Sequence, residues 1–334
     1  MALSDRYSVR QLTGADIAAC MRLLAETPGS SVPVSPSVRA DAARRFLSSH
    51  VKAGAAVGAF DSGGDLAGYV AFDSFDFHGE RTGFCPLSGH AARPACAADV
   101  YERLYTSLSE RWVADGVRKH LVSVPASQPD VERRFCDLGF GRYVVDAYMP
   151  IDEHAVSPAG ARGAETASRL AVGFSLRTAT RTDAAELNEL LAESVGWYAA
   201  APIFLRVDAA TNEETDELLS RADAAVFFAE RDGHAVGFMG VQLVDRPNPV
   251  ALTVPGDATL DGIGAYLQPG ARCKGLGEML LRRCRDWAAG HGASLLHVDY
   301  ESANPAARAF WPKHFVPGAY SLLRHTHADM QETQ

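Results

Sequence analysis

The sequence predicts an α/β (α+β) protein built as two similar halves, each a mixed, mostly antiparallel sheet flanked by helices. The first observation is a repeat. YSVRQLTGADIAACMRLLAE near the start and FSLRTATRTDAAELNELLAE in the second half share a strand-like run, a polar turn and an amphipathic helix at the same spacing. The second is that later landmarks keep a constant offset of 175 residues: Trp112 with Trp287, Phe135 with Phe310 and Phe140 with Phe315. So long a period marks a duplicated domain rather than a solenoid. The third is the element order, in which runs of strands interrupt the strict βαβα alternation of a fully parallel sheet.

Within each half the order reads strand, helix, helix, a run of antiparallel strands, helix, strand, helix, strand. AVGAFDSGGDLAGYVAFDS from Ala56 and AVFFAERDGHAVGFMGVQL from Ala225 are hairpins, with apolar runs flanking the turns DSGGD and ERDGH. The run from Ala258 to Leu267 reads as a strand. Gly275–Gly290 reads as a helix, since Leu276, Met279, Leu280, Cys284 and Trp287 or Ala288 share one face, and its counterpart runs from about Ala98 to Ala114. Residues 153–172 are rich in Ala, Gly, Ser and Pro, a linker composition. The expected organisation is therefore a first domain over 1–152, the linker, and a second domain over 173–334.

The chain has 334 residues, 47% of them hydrophobic, enough for two packed cores. A formal net charge of −9 gives no sign of a grip on nucleic-acid phosphates. No apolar run approaches the roughly 20 residues of a membrane span, and the N-terminus has no apolar signal core, so a cytoplasmic location is expected. The six cysteines are scattered without C-x-x-C or cysteine–histidine spacing, which predicts neither disulfides nor a metal site. Two joined domains fit a monomer, and an exposed sheet edge leaves a homodimer open.

The most informative stretch is LQPGARCKGLGEML, residues 267–280. It places a glycine-rich turn between a strand and a helix N-terminus, where unpaired N–H groups and the helix dipole favour phosphate oxygens. Gly275 and Gly277 leave no side chain in the way, and Arg272 and Lys274 add positive charge. No G-K-[ST] follows, so it is not a P-loop, and a dinucleotide fingerprint would come earlier, opening a βαβ unit. A plain tight turn is the simpler alternative for so short a pattern.

This stretch resembles the coenzyme A signature of the GNAT superfamily of N-acetyltransferases. Leu267, Pro269, Arg272, Gly275 and Gly277 occupy its apolar-x-Pro…[RQ]-x-x-G-x-[GA] positions. NPAARAFWPKHFVPGAYSLLR, from Asn304, is similar to the family's downstream segment. The resemblance implies tandem GNAT-like domains, with strong motifs only in 173–325. It implies that the loop of Arg272, Cys273, Lys274, Gly275, Leu276 and Gly277 holds the pyrophosphate of acetyl-CoA, the acyl-donor cosubstrate. Main-chain groups near Ala265 and Leu267, with Asn304, would hold the pantetheine arm. In the first half the matching positions are Ala97, Val100, Glu102 and Pro129. A glutamate there repels phosphate and Val100 crowds it, so the first half is expected to be a degenerate copy that shapes or covers the active half.

Acetyl transfer to an amine needs a base, because an alkyl ammonium has a pKa near about 10. Asp261 is the first candidate, six residues before Leu267 on the face of Ile263 and Ala265 if that strand is regular, a spacing similar to the family's catalytic carboxylate. Asp299 and Glu301 are rivals that should emerge beside the acceptor cleft, and His297 is a second choice. The family's usual acid is a tyrosine in the last helix, and here that place holds Phe310 and Trp311, leaving Tyr300, Tyr320 and Tyr266 for the thiolate's proton. Cys273 has no histidine placed to activate it as a nucleophile. Trp197, Tyr198 and Phe204 either wall the acceptor or are ordinary packing. The expected function is an acetyl-CoA-dependent N-acetyltransferase acting on a small amine by direct transfer in a ternary complex. The alternative is a non-catalytic acyl-CoA-binding or regulatory protein. Mycothiol synthase-like and antibiotic-modifying acetyltransferases share the duplicated plan, and no residue here selects either acceptor.

Overall fold

The structure is a computed structural model that describes residues 6–26, 36–151, 173–248 and 251–327; the linker expected at 153–172 lies outside these residues. The first half runs β1 (Ser8–Gln11), α1 (Ile17–Glu26), α2 (Pro36–Lys52), β2 (Ala56–Phe60), β3 (Leu66–Ala71), β4 (Asp73–Asp76), β5 (Arg81–Cys85), β6 (His90–Ala92), α3 (Ala97–Ala114), β7 (Lys119–Pro125), α4 (Pro129–Asp137) and β8 (Gly141–Pro150). The second runs β9 (Phe174–Thr178), α5 (Ala184–Ala199), α6 (Asn212–Ser220), β10 (Ala224–Arg231), β11 (His234–Leu243), β12 (Ala258–Thr259), β13 (Ala265–Leu267), α7 (Leu276–Gly290), β14 (Leu295–Glu301), α8 (Pro305–Phe310) and β15 (Val316–His325).

The duplication reaches individual contacts. Thr13 and Thr180 each open their first helical turn with a capping box closed by Asp16 or Asp183, an arrangement that typically contributes about 1 kcal/mol. An arginine on the preceding strand holds each aspartate at 2.8 Å, Arg10 in one half and Arg177 in the other. The β10–β11 hairpin turns through Asp232 and Gly233, both at positive φ (55° and 83°), as a two-residue turn requires.

The sheets show what the repeat could not. Four strands form one sheet in the order β1-β2-β3-β6; eleven form another in the order β4-β5-β7-β15-β8-β14-β12-β11-β10-β9, with β13 also paired to β11. The last strand of each half has crossed over: β8 pairs antiparallel with β14, β15 pairs antiparallel with β7, and β8 and β15 pair with each other. The cores follow. Val145, Ala147 and Ile151 of β8 and its end lie in one cluster with Leu276, Leu280 and Cys284 of α7. Leu322 of β15 lies with Leu104, Leu108 and Trp112 of α3. Neither half closes its sheet or core with its own residues alone. Among the described residues, no helix is long and apolar enough to cross a membrane.

Because Leu322 is fully buried in the other half's core, Leu322→Ala is expected to cost about 2–5 kcal/mol. Circular dichroism should show one cooperative melt that shifts as a whole. A melt in which only one half loosened would contradict the interlocked core.

Candidate active site

The site begins where β12 and β14 part. They pair in parallel through Ala258 with Leu296 and Thr259 with His297, and no further. The chain then leaves the strand in a turn from Leu260 to Gly264, with Gly262 at φ 85° and Gly264 at φ 77°. Gly264 N–H donates to Leu260 O, Gly240 N–H donates to Gly264 O, and Ile263 packs so close over Gly240 that a Cβ there would lie 2.0 Å from Ile263 Cγ2. The strand expected from Ala258 to Leu267 is therefore two short strands, and the regular face that joined Asp261 to Ile263 and Ala265 does not exist. The physical reason is the pair of left-handed glycines, a conformation other residues adopt only with strain.

Beyond the turn, β13 pairs, among the described residues, only with β11. Gly264 and Gln268 bond to β11, so by antiparallel alternation the main-chain groups of Ala265 and Leu267 face the opening toward β14. Past β13 the chain makes a 3-10 turn, Pro269–Ala271, and passes through Cys273 (φ 60°) and Gly275 (φ 79°) before α7 starts at Leu276. No side chain caps that N-terminus, and the space beside Gly275 is open: a Cβ there would meet nothing within 4 Å.

Gly277 serves differently from the phosphate clearance its spacing suggested. A Cβ there would stand 3.1 Å from Phe310 Cε2, so this glycine admits the ring of α8 against α7. Arg272 donates from Nε to Leu267 O at 2.8 Å, and its guanidinium lies 3.9 Å from the centroid of Trp197. Trp197 is thus placed beneath the loop arginine, and Phe204 is 75% exposed. Lys274 Nζ is 5.0 Å from the ring of Phe174. Asn304 caps α8, its side-chain oxygen accepting from the N–H groups of Ala306 and Ala307.

On β14, alternation sends Leu296, Val298 and Tyr300 into the core beneath α7 and His297, Asp299 and Glu301 to the opposite face. There a group of carboxyls gathers. Burial, then Asp261, Asp146 and Glu301, push the Asp299 carboxyl well above the usual carboxylate range. Burial and Asp261 raise Glu301, against a hydrogen bond from Tyr198. Burial and the same carboxylates raise the Tyr198 phenol, and burial with Glu301 pushes Tyr143 up to about 12. His297 stands between Thr259 Oγ1 (2.9 Å from Nδ1) and Asp146 Oδ1 (3.2 Å from Nε2), and Thr259 Oγ1 accepts from Asp261 N–H. A pocket of about 540 Å³ opens on Thr259, His297 and Asp261.

The sequence-derived residues therefore divide. Asp261, Asp299, Glu301 and Tyr198 come together. Tyr300 lies on the other face of β14 and is buried, and Tyr320 sits under Arg142, whose guanidinium is 3.5 Å from its ring centroid. Asp261, Tyr300 and Tyr320 do not form one constellation. Sequence reasoning missed Asp146 and Tyr143, which belong to the first half and arrive on the exchanged β8. No local signal marks them, because their neighbours are set by a pairing more than 150 residues away along the chain.

The matching place in the first half is filled. His90 on β6 is buried, with Nε2 2.6 Å from Ser123 O of β7 and Nδ1 2.8 Å from the Tyr101 hydroxyl, and the void beside it is only about 10 Å³. Burial lowers its pKa to about 4, so it bridges the two strands as a neutral imidazole at pH 7. Val100 packs where a Cβ on Gly68 would be 2.4 Å away. At the start of α3, Arg134 pairs with Asp99 at 3.2 Å and with Glu102 more closely.

Residues 192–315 match the model of the acetyltransferase (GNAT) family. No curated protein matches the sequence. Among solved structures, the chain is similar to a GCN5-related N-acetyltransferase from Sphaerobacter thermophilus (15% identity, 97% of each chain, TM-score 0.56). It is also similar to the glucosamine N-acetyltransferase region of a fungal multi-domain GH3 β-N-acetylglucosaminidase (14% identity, 96% of this chain and 38% of that one, TM-score 0.54). A tandem GNAT protein from the clavulanic acid biosynthesis pathway aligns at 16% identity over 96% of this chain and 98% of that one, with a TM-score of 0.48. At these identities the likeness is one of fold.

Proposed function

We propose that this chain, which carries a GNAT-family domain over residues 192–315, is an acetyl-CoA-dependent N-acetyltransferase acting on a small amine. One observation carries the reading: an uncapped helix start with open space at Gly275 and an acidic cleft stand at two ends of the same opening between β13 and β14. The residues present suit the donor. The open space at Gly275, the uncapped start of α7 and the charges of Arg272 and Lys274 fit a pyrophosphate, and the outward main-chain groups of Ala265 and Leu267 fit an amide-bearing arm. The thioester of acetyl-CoA supplies the activated acetyl group. The filled cleft around His90 supports a first half without a donor site of its own.

On the acceptor side, Asp299 is the fitting base. A carboxylate whose affinity for protons is raised by burial and like charges takes a proton from an ammonium better than an exposed one. Asp261, exposed on its turn, adds negative potential, and Glu301 is oriented by Tyr198. The amine nitrogen then bonds the acetyl carbon as the carbon–sulfur bond breaks, and the thiolate takes up a proton. Tyr300 suits that donation better than Tyr320: burial keeps its phenol protonated, and it lies on the α7 face. Transfer is direct, in a ternary complex. The packing of Phe310 and Trp311 where a family tyrosine would stand favours a second reading, an acyl-CoA-binding regulator, which differs in showing no turnover.

Calorimetry with acetyl-CoA, followed by assays of free CoA release with a panel of amines, tests the proposal. Binding should be lost when Arg272→Glu is combined with Gly275→Val, and release should be stimulated by an amine; binding without stimulated release would leave only the regulator. Since the Asp299 pKa is raised, its base form appears as pH climbs through that raised value. The kcat/KM should therefore rise with pH above the ordinary carboxylate range, and Asp299→Asn should lower it about 10²–10⁴-fold. A profile flat from pH 5 to 8 would exclude Asp299 as the base.

A further inference from the structure

The pairing of β8 with β14 puts Asp146 directly opposite Asp299. In the other exchanged pairing, Ser321 of β15, 175 residues after Asp146, stands opposite Ser123 of β7, and their hydroxyls are 2.9 Å apart in a hydrogen bond. The fold thus has a neutral, self-satisfied solution for this position, and the second half does not use it. Two carboxyls facing across a ladder weaken a sheet, so their presence calls for a partner.

Asp146 shows that such a partner is missing from the protein. It is 3% exposed; Oδ1 meets His297 Nε2, and Oδ2 is buried with no hydrogen-bond partner. A buried carboxylate oxygen without a donor costs free energy until a donor arrives. Among the described residues, no lysine or arginine forms an ion pair with Asp261, Asp299 or Glu301, and the ion pair of Asp146 is with His297. Asp146 and Asp261 stand beside Asp299 and Glu301, more carboxyls than a single reacting ammonium can pair with.

We infer that the acceptor is a diamine or polyamine, and that Asp146, carried in from the first half on the exchanged strand, receives an ammonium other than the one acetylated. Directly opposed residues stand about 4.5–5.5 Å apart at Cβ, comparable with two amines joined by a short aliphatic chain. The neighbouring pocket of about 540 Å³ is lined by Arg221 and Arg246 as well as Asp261 and His297, which favours a short diamine held between Asp299 and Asp146 over a longer chain reaching into that pocket. This assignment deepens the N-acetyltransferase reading and rests on it for the identity of the reacting amine.

The test is calorimetry of the full chain with 1,3-diaminopropane and 1,4-diaminobutane against propylamine and butylamine, with and without coenzyme A. The diamines should bind at least tenfold more tightly than the monoamines. Asp146→Asn should bring that ratio close to one, and so should Asp146→Ser, which installs the side chain that Ser321 places at the matching position of the other exchanged strand; melting temperatures check that both variants fold. Equal affinities in the wild type, or a diamine preference that survives both substitutions, would overturn the inference. Coenzyme A binding in the same titrations reports separately: a diamine preference without it keeps this site and sinks the acetyltransferase reading, and the reverse result sinks only the diamine.

Discussion

Everything in this protein depends on the exchange of β8 and β15 between the two halves. In a simple tandem repeat each half would keep its last strand, and the inner faces of β7 and β14 would each be closed by their own chain segment. Here the strands trade places, so Leu322 seals the core over α3 while Val145 and Ala147 seal the core under α7. The hydrophobic gain from these side chains is shared, which makes folding of one half contingent on the other. The same exchange makes the acidic cleft a joint product, since Asp146 and Tyr143 enter it from outside the half that carries the glycine-rich loop before α7.

A second constraint is the turn at Leu260–Gly264. A continuous strand from Ala258 to Leu267 would stay paired with β14 and leave no opening. Two glycines at positive φ and the seating of Ile263 over Gly240 force the parting. Parting leaves one edge of β13 without a strand partner among the described residues and exposes one face of the end of β14, where the carboxyls gather. In the first half the same topology survives, but His90 ties β6 to β7, Val100 fills the space over Gly68, and Ser123 bonds Ser321. The two halves show one scaffold in an open, charged form and a closed, satisfied one.

Much of this was legible in the sequence because it is encoded at short range. The capping boxes at Thr13 and Thr180, the Asp232–Gly233 turn, the apolar stripe of α7 and the glycine-rich start of that helix each depend on residues a few positions apart. What was not legible depends on partners far along the chain. Gly277 clears space for Phe310, Trp197 supports Arg272, and Asp146 faces Asp299, and none of these follows from local spacing. Asp261 was misplaced on a strand face although Gly262 and Gly264 carried the warning, since paired glycines in a strand pattern mark a break. The carboxyl group itself was in reach of the sequence through Asp299 and Glu301; its fourth member was hidden by the strand exchange.

The central claim, that the opening between β13 and β14 is the one donor site of this duplicated chain, is tested most directly by amide hydrogen exchange of the full protein with and without coenzyme A. Protection should appear at Ala265, Leu267 and the first turn of α7 from Leu276, with β6 and the start of α3 unchanged. Protection at His90–Ala92 or the first turn of α3, or none at α7, would contradict it.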